Sequence, residues 1–223
     1  MKAALWATAA MWALTLASAV FSALLSGAAQ AGTLWVRVID RAGEPVAGAA
    51  VIVQSAASPG ATKPLPTVEI IQQDIKFVPS VVVVTPGTVV RFTNRDTFDH
   101  HVKGQGGATF EYRIAGTDTA PRDAPRKDAK AAAQVVLQAG AGPVTIGCYL
   151  HSRMAGNIYI SESPYFGVSD ADGRVRMDVP DGSVTVHAWH PQQLLEQPPL
   201  QSQVVAGTQG LDVALNFTPR RRR

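Results

Sequence analysis

The sequence predicts an all-β chain of packed sandwiches, and three observations lead there. Beyond the N-terminal leader, the apolar residues fall in short runs rich in Val, Ile and aromatic side chains. Turn-forming residues punctuate those runs at Asp40–Gly43, Pro86-Gly87, Asp172-Gly173 and Pro180-Asp181-Gly182. No segment after the leader repeats its apolar residues at the helical period. Many short strands at regular spacing point to a sandwich or barrel.

The chain has 223 residues and opens on Met1-Lys2, followed by an apolar run over 3–25 that holds no acid. It closes on Ser26-Gly27-Ala28-Ala29-Gln30-Ala31, and Ala29-x-Ala31 is the small-residue pattern a signal peptidase accepts. Residues 1–31 therefore read as a signal peptide cleaved after Ala31, with a retained anchor as the alternative. No later stretch is apolar enough to span a bilayer, so the expected product is exported and not stably inserted in a membrane. With 46% hydrophobic and 17% charged residues, a disordered or acidic solvating chain is excluded.

The 20 Lys+Arg against 17 Asp+Glu give a net charge of +3, but four of the positive residues are Arg220–Arg223. The excess is a terminal Arg tail over 219–223 and not a basic face, and no aromatic-interleaved basic patch supports nucleic-acid binding. The single cysteine excludes an internal disulfide framework and any metal site made of thiolates alone.

In chain order, strands are expected at 34–39 and 46–53, around a turn at 40–45. A linker follows at 55–66, with Pro59, Pro64 and Pro66. Further strands are expected at 68–71, 75–77, 81–84 and 89–92. Residues 103–130 read as a long loop broken by a short strand at 110–112. The remaining candidates are 134–137, 144–146, 157–160, 166–168, 175–177, 184–186 and 211–217.

The chemistry concentrates in Cys148-Tyr149-Leu150-His151-Ser152-Arg153-Met154. A thiolate, an imidazole three residues on and a thioether three further on are soft or borderline donors that can converge on one ion. Two His, one Cys and a weak axial Met make the blue-copper donor set. The fourth donor must come from elsewhere, and His100-His101 lie just past the strand that ends near Thr93. A buried apolar cysteine and a core methionine are the plain alternatives. Their joint spacing to one of only five histidines argues against them, as does a free thiol in an oxidising compartment.

These residues sit in a wider pattern. Phe77-Val78-Pro79, Pro86 to Asp96, His100-His101-Val102 and Gly147-Cys148-x-x-His151-x-x-Met154 resemble the cupredoxin motif over residues 67–163. The short Cys-x-x-His-x-x-Met loop is similar to that of amicyanin-like members, and the His-His-Val run to a periplasmic methylamine-utilisation-protein-like subgroup. The resemblance implies a Greek-key sandwich holding one mononuclear type 1 copper through His100, Cys148, His151 and Met154. It puts the ligand slot on His100, and only one of two adjacent strand residues can face the core. Asn94 and His101 then stand beside the ligands as buttresses. Asp99 replaces a frequent Pro, and the Tyr-x-Cys often seen before the ligand is missing.

A second resemblance brackets the first. Val36 to Ala49 looks like the opening of a carboxypeptidase-regulatory-like sandwich, whose usual continuation appears only at 168–175 and 179–186. The expected organisation is one small sandwich, 32–66 plus 164–218, split by a cupredoxin domain at 67–163. His187 and His190 read as a strand end with Trp packing and a solvated His, and Asp170 and Asp172 as turn formers.

The function these features imply is one-electron transfer in the periplasm between redox proteins, with no enzymatic activity. Copper storage or delivery, and a non-redox interaction module, are the alternatives. A thiolate-bridged binuclear centre would need two cysteines, and a multicopper oxidase more paired histidines than this chain carries.

Overall fold

A computed structural model describes residues 31–57, 62–118, 129–138, 140 and 142–220. Residues 1–30 of the expected leader and Arg221–Arg223 lie outside the described residues, and Ala31 opens the first strand. Among the described residues there is no helix, so none is long and apolar enough to cross a membrane.

The strands run β1 (Ala31–Ile39), β2 (Ala50–Ser55), β3 (Val68–Gln73), β4 (Lys76–Val78), β5 (Val81–Val84) and β6 (Thr88–Asn94). They continue with β7 (His100–Gly106), β8 (Phe110–Ile114), β9 (Ala129–Lys130), β10 (Ala132–Leu137), β11 (Gly142–Cys148) and β12 (His151–Ile160). The last are β13 (Tyr165–Val168), β14 (Arg174–Pro180), β15 (Gly182–Trp189), β16 (Leu200–Val204) and β17 (Thr208–Ala214).

They form four sheets. One has the order β14-β1-β17 and faces another of order β13-β2-β15-β16. Strict alternation along β1 and β14 turns Leu34, Val36, Val38, Val175, Met177 and Val179 inward. They meet Val51, Val53, Val184 and Val186 from the facing sheet in one apolar core. The strands before residue 56 thus pair with strands after residue 164.

The other two sheets, β10-β6-β3-β4 and β5-β12-β11-β7-β8-β9, are built entirely from the residues between. Ile70, Phe77, Phe92, Ile114, Leu137, Ile146 and Ile158 fill the space between them. A third apolar seam, Ala50, Ile52 and Val83 with Tyr159, Phe166 and Trp189, joins the two sandwiches.

Several local expectations are corrected. The second strand begins at Ala50 and not at Val46, because Val46 donates back to the Val38 carbonyl and Gly48, at φ 75°, turns the chain. In the loop expected at 103–130, residues 119–128 lie outside the described residues. The short strand expected at 110–112 is present as part of β8, but residues 103–106 are also strand and complete the β7–β8 hairpin. Its glycine-rich start hid it: Gly104 leaves the backbone bare so that the Phe110 ring can lie against it. The strand at Leu200–Val204 was not legible in its polar sequence, and pairing with β15 makes it. His190 is buried and not solvated: it packs on Phe217, with ring centroids 5.8 Å apart, just past the end of β15. Trp189 does pack, against Tyr159, and Asp170 does form its turn by accepting from the amides of Asp172 and Arg174.

Phe92 is fully buried against Phe110 in the sandwich that carries the cysteine. Phe92→Ala is expected to lower unfolding free energy by about 3–5 kcal/mol, the usual cost of an aromatic cavity. Chemical denaturation reads it, and a loss below 1 kcal/mol would contradict this packing.

Candidate metal centre

The site forms where a hairpin meets a strand–loop–strand corner. Cys148 ends β11, and β12 starts at His151, so the two face each other across the two-residue Tyr149-Leu150 turn. The register slips between Gly147 and Cys148, a bulge of the kind that re-aims side chains. From the other side, β6 ends at Asn94 and β7 begins at His100.

Three donors converge there. The Cys148 sulfur lies 3.7 Å from His100 Nδ1 and 3.6 Å from His151 Nδ1, and all three atoms fall within 4.8 Å of one another. Cys148 and His100 are buried and His151 is half-buried. His101, the neighbour of His100, points elsewhere: its Nε2 is 3.2 Å from Glu111 and its ring packs on Tyr149. Its backbone amide, however, donates to the Cys148 sulfur at 3.3 Å. Met154 is buried in the apolar core that also holds Cys148 and Phe77.

Asn94 shapes the corner. Its amide donates to the carbonyls of Phe98 and Ile114, and its Oδ1 accepts from the Asp96 amide at 2.9 Å.

Asp96 was part of the sequence motif but had no role assigned, and it proves central. One oxygen accepts from the Asp74 amide, and the other accepts from the Ile75 amide and lies 2.6 Å from His100 Nε2. Asp74 and Ile75 are the turn of the β3–β4 hairpin, at φ 54° and 59°. A two-residue hairpin favours this left-handed pair, yet a β-branched residue resists it. The Asp96 carboxylate holds both amides in place and, with the same group, orients His100. The signal in sequence is a carboxylate four residues ahead of the histidine, which only the fold brings onto the ring.

Asp99 accepts from the Gly116 amide and pairs with Arg113 at 2.9 Å. Phe98, also unassigned from sequence, packs its ring against both imidazoles, at 5.2 and 5.3 Å.

The electrostatics of the metal-free site follow. Burial pushes the Cys148 thiol up, but His100, the His101 amide, His151 and the Leu150 amide outweigh it and bring it down from 9.0 to about 6. Burial pushes His100 down, and the thiolate and the Asp96 carboxylate together raise it instead. Burial likewise opposes ionisation of Asp96, which His100 and the two turn amides reverse, so it lies below the ordinary carboxylate value.

The donor set suits a thiophilic ion. With metal–nitrogen and metal–sulfur bonds of about 2.0–2.1 and 2.3 Å, donors of one ion stand roughly 3.6–3.8 Å apart. The two nitrogen–sulfur separations match that spacing. His100 turns Nδ1 to the sulfur only because Nε2 is held by a carboxylate, the arrangement that metal-binding histidines commonly show.

No protein-family model and no curated protein matches the chain. Among solved structures, a reduced amicyanin variant aligns at 18% identity over 51% of this chain and 99% of its own, with a TM-score of 0.32. A copper-containing nitrite reductase from Thermus scotoductus aligns at 20% identity over 56% of this chain and 28% of its own, TM-score 0.34. A purple cupredoxin from Nitrosopumilus maritimus aligns at 18% identity over 42% and 99%, TM-score 0.30. Each is a partial likeness.

In the metal-free protein the Cys148 thiol is expected to titrate near pH 6. Between about 6 and 9 the folded chain binds fewer protons at this group than the unfolded chain. Its contribution to stability is therefore complete above pH 9 and lost as the pH falls to about 6. Ultraviolet thiolate absorbance reads the titration. Asp96→Ala removes a carboxylate that raises His100, and should move the thiol upward. An unchanged titration in that variant would contradict the coupling.

Proposed function

We propose that the chain would hold one copper ion through Cys148, His100 and His151, with Met154 as a further weak donor, and pass single electrons between periplasmic partners. The observation that supports it is the convergence of one thiolate and two imidazole Nδ1 atoms on a common point in a β-sandwich. Thiolate with imidazole favours copper among the available ions, and the three-donor set with a thioether nearby is the electron-transfer combination. When bound, copper supplies the Cu(I)/Cu(II) couple.

The chain's own residues do the rest. Asp96 fixes the His100 ring and its tautomer, since the nitrogen facing the carboxylate carries the proton. The amides of His101 and Leu150 bond the sulfur and temper its electron donation. Strands hold Cys148, His100 and His151 at their termini, so little needs to move when the charge at the site changes. Tyr149 and Leu150 are 62% and 54% exposed beside half-buried His151, a small surface of the size that brief redox encounters use. In this reading, residues 1–31 direct export and are removed after Ala31. The 67–163 cupredoxin domain interrupts a carboxypeptidase-regulatory-like sandwich of 32–66 plus 164–218.

Loading the purified protein with copper is expected to give an intense thiolate-to-copper absorption in the visible, at one copper per chain. Cys148→Ser should abolish it. A folded protein that stays colourless with copper would overturn the proposal. Met154→Leu should keep the colour and raise the reduction potential, because losing a donor disfavours the more highly charged ion. An unchanged potential would remove Met154 from the ligand set.

A further inference from the structure

The outer face of the β14-β1-β17 sheet carries two features that cost the fold something and serve nothing in it. Residues 33, 35 and 37 of β1 point outward and stand opposite 178, 176 and 174 of β14. On the other side they stand opposite Thr208, Gly210 and Asp212 of β17. Trp35 is the centre of this grid and is 40% exposed.

The first feature is Gly210. It lies mid-strand beside Trp35, where glycine weakens a sheet. Its φ does not require glycine, and a side chain there would meet no atom within 4 Å. The position is open, so neither backbone conformation nor packing explains the missing side chain.

The second feature is the cross-strand pair Arg37 and Arg174. Like charges directly opposite one another destabilise a sheet. Among the described residues neither arginine has a carboxylate within ion-pair distance, although Asp212 is the register partner of Arg37. Arg176, by contrast, is engaged with Asp178 at 3.2 Å.

Both features border one groove of about 260 Å³, lined by Trp35, Arg37, Arg174, Gly210, Leu211 and Asp212. It offers an indole face, a floor cleared of side chain, two uncommitted guanidinium groups and a carboxylate. The indole suits the apolar face of a sugar ring. The guanidinium forks suit a carboxylate, which they bind in pairs of parallel hydrogen bonds. Asp212 can accept from hydroxyl groups and repels a doubly charged phosphate. The volume is below that of most enclosed small-molecule sites and fits one ring.

We propose that this face binds an acidic saccharide, with a uronate ring stacked on Trp35 over Gly210 and its carboxylate held by Arg37 and Arg174. The site is independent of the metal centre.

The test is calorimetric titration of the full chain at low salt with digalacturonic acid, the neutral disaccharide maltose, and AMP. Digalacturonic acid is expected to bind at about millimolar strength, as an open one-ring site allows, at least tenfold more tightly than maltose or AMP. Gly210→Thr fills the floor with a residue that strands accept and should weaken binding at least tenfold without lowering the melting temperature. The double variant Arg37→Gln with Arg174→Gln should do the same and erase the preference for the acidic sugar. Absence of binding to the unmodified chain overturns the proposal. Equal binding of maltose or AMP, or undiminished binding by a stably folded Gly210→Thr protein, also overturns it.

Discussion

A buried sulfur anion must be paid for by its surroundings, and that constraint organises this half of the molecule. Cys148 is 6% exposed in an apolar core, which by itself would keep the thiol protonated. Two backbone amides and two imidazoles reverse that preference. Each comes from a place the fold had to supply: the amide of His101 from the start of β7, the amide of Leu150 from the hairpin turn, the rings from both sides. The same four groups that stabilise the anion leave a gap bounded by three soft or borderline donors.

The support extends outward through charge. Asp96 links the strained Asp74-Ile75 turn to His100, so a surface hairpin and a buried imidazole share one carboxylate. Beyond it, Asp99 ties the loop to Gly116 and Arg113. At Gly116 a side chain would collide with the backbone of Thr97 and Phe98, so the loop before His100 can lie close only against glycine. The outer rim is polar: His101 and Lys103 meet Glu111, and Lys103 also bonds the Tyr149 hydroxyl.

Much of this was legible in the sequence, and what was missed has physical reasons. The three convergent donors could be read because a lone cysteine and a histidine lie three residues apart, and because only one of two adjacent histidines can enter a core. Val81–Val84 read as a strand because it is buried on both sides, between the core and the seam with the other sandwich. The β7 arm of the β7–β8 hairpin did not, because its Gly, Gln and Lys residues carry no strand propensity and pairing with β11 stabilises it. The role of Asp96 could not be read either, since a carboxylate that reaches three partners from two loops shows only once those loops meet. His190 appeared solvated because a histidine before Pro191 at a strand end usually is, and packing on Phe217 overrides that.

The proposed copper site joins the Cys148 sulfur to His100 and His151. X-ray absorption at the copper edge of the loaded protein reads the ligand shell itself. A nearest shell of one sulfur and two imidazole nitrogens is expected, with the sulfur lost in Cys148→Ser. A shell of nitrogen and oxygen alone in the unmodified protein would contradict it.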